Sequence, residues 1–344
     1  MVDVLMATHS HSSLERFEKC PLAYRMRYID RIRDRLGESL EQHLGKCVHS
    51  TLEWIHLRVH DGILPLWAEI LDDFLKRYDG GWTDSIRLVH TDRTRESYRL
   101  VGERCLRNYF EANTPFDEGS LVGAEWDFRF PISRADGSPL VTGKVDRITR
   151  LAPGRLQVHD YKTSSFVPAR HELERSRQPA LYVMAIRRAY PDAASGRVEL
   201  VWHYLNSGIM IRFDMTTGGL ERIRRQTEEL IETVQACTDF PARPTRLCAW
   251  CEYGHLCPEN EYREKVRASL DGEREPEPGI DLVDRLERLT SLRREFEKSF
   301  REEKARIERT IASHASEQGV NSVLGTRMEA VVTDGAKVRL RRKR

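Results

Sequence analysis

The chain has 344 residues, enough for one large domain or two ordinary ones, and a 40% hydrophobic fraction that can supply a core. No run approaches the roughly 18 consecutive apolar residues of a membrane helix, and Met1 to Ser10 lack the basic start and apolar stretch of a secretory signal, so a cytoplasmic protein with no membrane partner is expected. Its 56 basic and 54 acidic residues leave a net charge of +2, which does not announce a nucleic-acid binder but can hide a basic groove beside an acidic site.

Ser12-Ser13-Leu14-Glu15 predicts a first helix opening on a capping serine, with Leu14, Phe17, Leu22 and Tyr24 apolar. A second helix is expected from Gly45 to about His60, and further helices over 66–113, with turns near Asp79-Gly80-Gly81 and Asn113-Thr114-Pro115. The period then changes to two. Leu121–Pro131, Pro139–Leu151 and Arg155–Thr163 read as strands, the last two joined by the turn Ala152-Pro153-Gly154. Gln178–Ala189 returns to helix. Arg197–Leu205 and Ile209–Met215 predict strands paired across Asn206-Ser207-Gly208, followed by a helix over Leu220–Cys237 and an irregular, cysteine-bearing segment over Pro241–Pro258. Residues 271–280 read as a polar linker. Asp281 to about Gln318 predicts a long helix whose Leu282, Leu286, Leu289, Phe296, Phe300, Ile307 and Ile311 lie near one stripe, for packing on the body or for docking a partner. Ser322–Arg339 predicts a small hairpin turning at Asp334-Gly335, and the run Lys337 to Arg344 is a basic tail, either contacting phosphate or simply solvated.

The hairpin carries the chemistry. Side chains alternate along a strand, so Asp160 and Lys162 share a face while Tyr161 points away, and Asp146 on the neighbouring strand comes close to Asp160. Two carboxylates on adjacent strands make a hard oxygen site suited to Mg²⁺ or Mn²⁺, to which the Tyr161 carbonyl can add a ligand. A lysine beside them can orient a water or stabilise phosphorane-like charge, an arrangement suited to phosphodiester hydrolysis. Asp-x-Lys alone is common, and cross-strand ion pairs account for many such tripeptides.

The motifs around the hairpin add to it. Gly45-Lys46-Cys47-Val48-His49, Gly143-Lys144-Val145-Asp146, Asp160-Tyr161-Lys162-Thr163 and Gln178-Pro179-Ala180-Leu181-Tyr182 follow one another in order. This order resembles the RecB-type branch of the PD-(D/E)XK nuclease superfamily over roughly residues 8–260. The resemblance implies a restriction-endonuclease-like α/β core, a mixed central sheet flanked by helices, with an N-terminal helical region and a C-terminal long helix. It implies His49 as a metal ligand beside Asp146, Asp160 and Tyr161, and Gln178 and Tyr182, which share a helical face, as groups positioning substrate. By the same resemblance Glu125, on the strand before the hairpin, is an acidic residue that can assist the metal.

Seven cysteines, an odd number, argue against a disulfide framework. Cys248, Cys251 and Cys257 stand in a C-x₂-C-x₅-C spacing that reads as metal ligation, with Cys20 the candidate fourth ligand. The chain looks like the nuclease half of AddB and the CRISPR adaptation exonucleases, which implies that these four hold a [4Fe–4S] cluster. Structural Zn²⁺ on the same thiolates, with His255 able to replace one, is the alternative. Cys47, Cys105 and Cys237 read as core or incidental residues.

The expected organisation is a nuclease domain over 1–270 with a helical insertion at about 50–115, a linker at 271–280, and a C-terminal helix with a basic hairpin tail over 281–344. The expected activity is metal-dependent cleavage of DNA, on single strands or duplex ends, in repair, recombination or related processing. Trp126, Trp250, Tyr253 and Tyr24 are possible stacking surfaces. A non-catalytic DNA-end or single-strand binding subunit of a helicase-nuclease complex is the alternative. The chain has no Gly-x₄-Gly-Lys-Ser/Thr loop and hence no ATP motor of its own; a helicase, or another repair or CRISPR protein, can instead dock on residues 281–318.

Overall fold

The computed structural model describes residues 8–32, 38–88, 93–133, 138–194, 196–245, 248, 251–270, 278–333 and 337–342. Residues 1–7, Trp250, positions 271–277 of the expected linker, the expected turn at Asp334-Gly335, and Lys343 and Arg344 lie outside the described residues. The chain divides into two compact units, Met1–Asn260 and Glu261–Arg344.

In the first unit a three-residue strand, β1 (Thr8–Ser10), leads into α1 (His11–Lys19). The cap is Ser10 rather than the expected Ser12: its hydroxyl accepts from Ser13 N at 3.1 Å, and the Ser13 hydroxyl accepts from Ser10 N at 2.9 Å. Ser10 is still extended because it belongs to β1, so the helix begins where the strand ends. α2 (Pro21–Tyr24) continues into one π-helical turn at Arg25–Ile29. α3 (Leu40–His60) starts earlier than the expected Gly45, because Ser39 and Gln42 form a reciprocal capping box.

α4 (Trp67–Gly80) and α5 (Arg95–Asn113) pack on α3 around Leu44, Val48, Leu52, Phe74 and Leu106. Gly102 lets α5 come that close: a Cβ there would lie 2.2 Å from Phe74 Cζ and 2.8 Å from Leu44 Cδ1. Gly102→Ala is therefore expected to lower the melting temperature, because overpacking costs about 1–3 kcal/mol against a helix-propensity gain of at most about 1. Gly80→Ala, which meets nothing within 4 Å, should not; equal effects of the two on thermal melting would refute this account of the packing.

The central sheet contains β2 (Ser120–Pro131), β3 (Leu140–Ala152), β4 (Arg155–Lys162), β5 (Arg197–Tyr204) and β6 (Ile209–Phe213) besides β1. β3 is antiparallel to β2 along one edge; along the other it pairs first with β1, in parallel, and then with β4, antiparallel. β4 and β5 are parallel, and β6 closes the sheet antiparallel to β5. The sheet is thus mixed, as expected. The connections hold α6 (Arg170–Leu173), α7 (Arg177–Ala189), α8 (Pro191–Ala194) and α9 (Thr217–Ala236). One core joins Val141, Ile148, Val158 and Trp202 of the sheet to Leu14, Leu181, Ile186, Ile223 and Ile231 of α1, α7 and α9. The α3–α5 core reaches the sheet at Tyr161. Helices therefore cover both faces, which explains the near-complete burial of β4.

After α10 (Pro258–Leu270), the second unit holds α11 (Pro278–Glu317) and three short antiparallel strands, β7 (Ser322–Leu324), β8 (Met328–Thr333) and β9 (Lys337–Arg342). The expected two-stranded hairpin is corrected to a three-stranded sheet. Its first arm folds back on itself, Gly325 N donating to Met328 O at 2.9 Å, so that Val323 pairs with Ala330.

Candidate active site

β3 and β4 part company at a fork, and the acidic residues lie in it. Their ladder ends at Arg147–His159, and the β1 pairing on the same edge of β3 ends at Ser10–Thr142. Asp146 falls between the two. Past the end of the ladder the Tyr161 N–H donates to Asp146 Oδ2 at 2.7 Å, a carboxylate taking the place of a strand carbonyl.

α3 lays His49 over the same point. His49 Nε2–H donates to the Tyr161 carbonyl at 3.0 Å, and Nδ1 lies 3.4 Å from Asp146 Oδ1. With Nε2 engaged on a backbone oxygen, Nδ1 is the nitrogen left for a cation. Glu125 completes the group from β2, where it stands between the pairs Ala124–Arg147 and Trp126–Val145. Its φ of +45° is uncommon for a residue with a Cβ, although the register with β3 is the same on either side of it. Ligand atoms of His49, Glu125 and Asp146 all lie within 4.8 Å of one another. A nitrogen and two carboxylates fit a hard divalent cation.

Asp160 is held differently. It is 1% exposed and forms a closed ring with its neighbours. Lys162 Nζ lies 2.6 Å from Oδ2; Gln178 Nε2 donates to Oδ1 at 3.0 Å and to the Tyr182 hydroxyl at 2.8 Å; that hydroxyl donates to Oδ1 at 3.2 Å; and Lys162 Nζ donates to Gln178 Oε1 at 3.3 Å. The four-residue spacing of Gln178 and Tyr182 on α7 aims both at one carboxylate. The structure thus brings His49, Asp146 and the Tyr161 backbone together, and Asp160 with Lys162, Gln178 and Tyr182. The Tyr161 side chain points away from Asp160, into the α3–α5 core.

The site concentrates opposed charges. Burial, and then the Asp146 charge, pushes the Glu125 carboxyl up. Burial also raises Asp160, Lys162 only partly offsetting it. Burial alone would lower His49 and Lys162, but Asp146 holds the imidazole, and Asp160 the ammonium, above their ordinary ranges.

The model of the PD-(D/E)XK nuclease superfamily matches residues 8–258. The chain belongs to that superfamily. Among curated proteins none matches the nuclease in sequence. Solved structures similar to it include the protein SSO0001, 15% identical over 76% of this chain and 89% of its own, with a TM-score of 0.34. Another is from Eubacterium rectale and is named a "Putative exonuclease"; it is 12% identical over 71% of this chain and 86% of its own, with a TM-score of 0.41.

Elsewhere in the nuclease the cysteine-bearing loop is clasped to the N-terminal helices. Leu22 N donates to Pro241 O at 3.3 Å, Tyr253 OH donates to Ile32 O at 3.4 Å, and Glu252 accepts from Arg16 and Arg27. Cys20 and Cys251 pack against a small cluster of Ala23, Met26 and Tyr253. Burial, and beyond it the Cys20 and Cys248 thiols, raise the Cys251 thiol. Arg243 N donates to Cys20 Sγ at 3.5 Å and Thr245 N to Cys248 Sγ at 3.2 Å. Cys257 follows a 3₁₀ turn, Gly254–Leu256, that leaves His255 exposed. Cys47 and Cys105 are buried in the α3–α5 core.

Two of the expected stacking residues are not surfaces. Tyr24 is 7% and Tyr253 1% exposed, and both belong to hydrophobic clusters. Trp126 is half-buried against Phe128 and Tyr190. Sequence reasoning also missed a buried polar network behind the fork. Arg147 donates to His159 Nδ1 at 2.8 Å and reaches His56 Nδ1 at 3.5 Å; His159 Nδ1 and His203 Nε2 lie 2.9 Å apart; His56 Nε2 meets the Tyr109 hydroxyl at 2.7 Å, which meets that of Tyr161 at 3.2 Å. The alternation that turns Asp160 one way turns His159 and Tyr161 the other, and this was the signal available.

Burial first, and the Arg147 charge second, hold His56, His159 and His203 well below the usual histidine range. The unfolded chain then takes up protons below about pH 6.5 that the folded chain refuses, so stability is intact above that pH and falls as pH drops through it. Between pH 7 and 5.5 the three should together cost about 4 kcal/mol, at up to ~1.4 per histidine per pH unit. Urea unfolding of the metal-free protein across this range checks it. His203→Gln should remove about a third of the slope; a flat profile in the parent protein would contradict the assignment.

Proposed function

We propose that this nuclease is a Mg²⁺- or Mn²⁺-dependent deoxyribonuclease, trimming DNA as an exonuclease or end-processing enzyme on single strands or duplex ends, in repair, recombination or related DNA processing. The observation that carries the reading is the fork between β3 and β4, where His49, Glu125 and Asp146 converge within 4.8 Å beside the Asp160–Lys162 ion pair. In this reading His49 Nδ1 and the Glu125, Asp146 and Asp160 carboxylates hold the metal, with the second lone pair of the Tyr161 carbonyl available to it. A bound divalent cation supplies Lewis acidity toward a phosphodiester and a more acidic water. Lys162 is placed to orient the attacking water and to neutralise charge developing on the phosphate. Gln178 and Tyr182 fix the Asp160 carboxylate and so the Lys162 ammonium that it binds.

The same proposal assigns Cys20, Cys248, Cys251 and Cys257 to a [4Fe–4S] cluster, with structural Zn²⁺ as the alternative. An all-thiol donor set with backbone N–H groups already directed at two of the sulfurs suits such a cluster.

The test is a cleavage panel on protein purified without oxygen. End-labelled single-stranded, blunt and overhanging DNA, with RNA of the same sequence, is incubated with Mg²⁺, with Mn²⁺ and with EDTA. Metal-dependent release of DNA fragments is expected, and EDTA should abolish it. Intact DNA under every condition, with binding to it retained, would replace the proposal with a non-catalytic binding subunit. Equal cleavage of the RNA would remove the deoxyribonuclease assignment.

A further inference from the structure

α11 presents an apolar stripe that the small sheet of its own unit leaves bare. Leu282, Leu286, Leu289, Phe296, Phe300 and Ile307 are each between 47% and 70% exposed, whereas Ala315, near the end of the helix, is buried. Positions 282, 286, 289, 293, 296, 300, 303 and 307 are separated alternately by four and three residues. That 3.5-residue repeat is the seam of a coiled coil, not the broader face of a helix lying on a globular core. Two seam positions are charged, Arg293 and Glu303, and they decide the occupant.

We infer that α11 pairs with α11 of a second copy of this chain, as an antiparallel coiled coil in which Arg293 faces Glu303 of the partner subunit. A parallel pair in register would set Arg293 against the partner's Arg293 and Glu303 against the partner's Glu303, placing like charges in the seam. Antiparallel pairing has one register that matches both charges at once. The same register sets Phe296 against the partner's Phe300, Leu289 against the partner's Ile307, and Leu286 against the partner's Thr310. Sliding by one heptad would put Arg293 opposite the partner's Phe296 or the partner's Thr310 and leave both charges unmatched. The matched seam from Leu286 to Thr310 is roughly 36 Å long at 1.5 Å per residue. Within one chain Arg293 lies 3.5 Å from Glu297 and Glu303 2.7 Å from Arg306, exposed pairs that contribute little and are readily exchanged for the partner's. A charged pair inside an otherwise apolar seam sets orientation and register, and it does so here for self-association.

Light scattering during size-exclusion chromatography, and sedimentation across a concentration series, test this on the full chain. A dimer is expected. Arg293→Glu alone and Glu303→Arg alone should each raise the dimer dissociation constant by about a hundredfold or more, since each creates a like-charge contact in both symmetric positions. The double variant, with the charges exchanged, should restore the dimer, a recovery that neither a parallel pair nor an unrelated partner gives. The substituted side chains are exposed, so far-UV circular dichroism should be unchanged. A chain that stays monomeric at every concentration, single reversals without effect, or a double variant that fails to recover would each overturn the inference.

Discussion

Asp160→Asn and Lys162→Ala are each expected to lower metal-dependent DNA cleavage by roughly 10²–10³-fold or more, while leaving the fold in place. Asn keeps the shape of Asp160 and can still accept from Gln178 and Tyr182, but it removes the charge that Lys162 binds at 2.6 Å. Lys162→Ala does the converse, leaving a buried carboxylate without its cation and raising its affinity for a proton further. Both should therefore lose turnover rather than DNA affinity. The measurement is single-turnover cleavage of end-labelled DNA at saturating Mg²⁺, with DNA affinity from a separate titration and fold from circular dichroism. Retained Mg²⁺-dependent activity in both variants would sink the site assignment.

Cys251→Ala is the second. Cys20 and Cys248 bracket almost the whole nuclease core, so a cluster on the four thiolates would close a loop of roughly 230 residues; by the chain-entropy model for cross-links that is worth about 5 kcal/mol, an upper value because the clasp has other contacts. Arg16 and Arg27 on Glu252, and Tyr253 on Ile32, hold the ends together without any metal. Anaerobic Cys251→Ala protein should be colourless and melt well below the parent, and Cys237→Ala, on an unrelated helix end, should do neither. A colourless, zinc-bound and active parent would transfer the site to zinc. Unchanged melting would leave the clasp to its protein contacts alone.

The local parts of this fold were legible in the sequence and the non-local parts were not. The hairpin over 140–162 declared itself by a period of two and a Pro-Gly turn, and its alternation correctly separated Tyr161 from Asp160. The Gln178–Tyr182 spacing likewise put both residues on one helical face, but their common partner, the Asp160 carboxylate, was not read from it. β1 was missed because three residues carry no periodicity and it exists only by parallel pairing with β3. The positive φ of Glu125 within β2 is a backbone angle that residue type does not encode. Arg147, His56, His159 and His203 meet across four elements, and only the assembled fold shows that they share one interior. The early start of α3 was readable, since Ser39 and Gln42 have the spacing of a capping box.

The bond from the Tyr161 amide to the Asp146 carboxylate has a use in solution. That amide proton is donated to a carboxylate whose electron density would change were a cation to bind at its other oxygen, as the proposed site requires, while its neighbours in β4 remain tied to β5. Its nuclear magnetic resonance frequency, or its rate of exchange with deuterium, should therefore register occupancy of the site, without any substrate and without turnover.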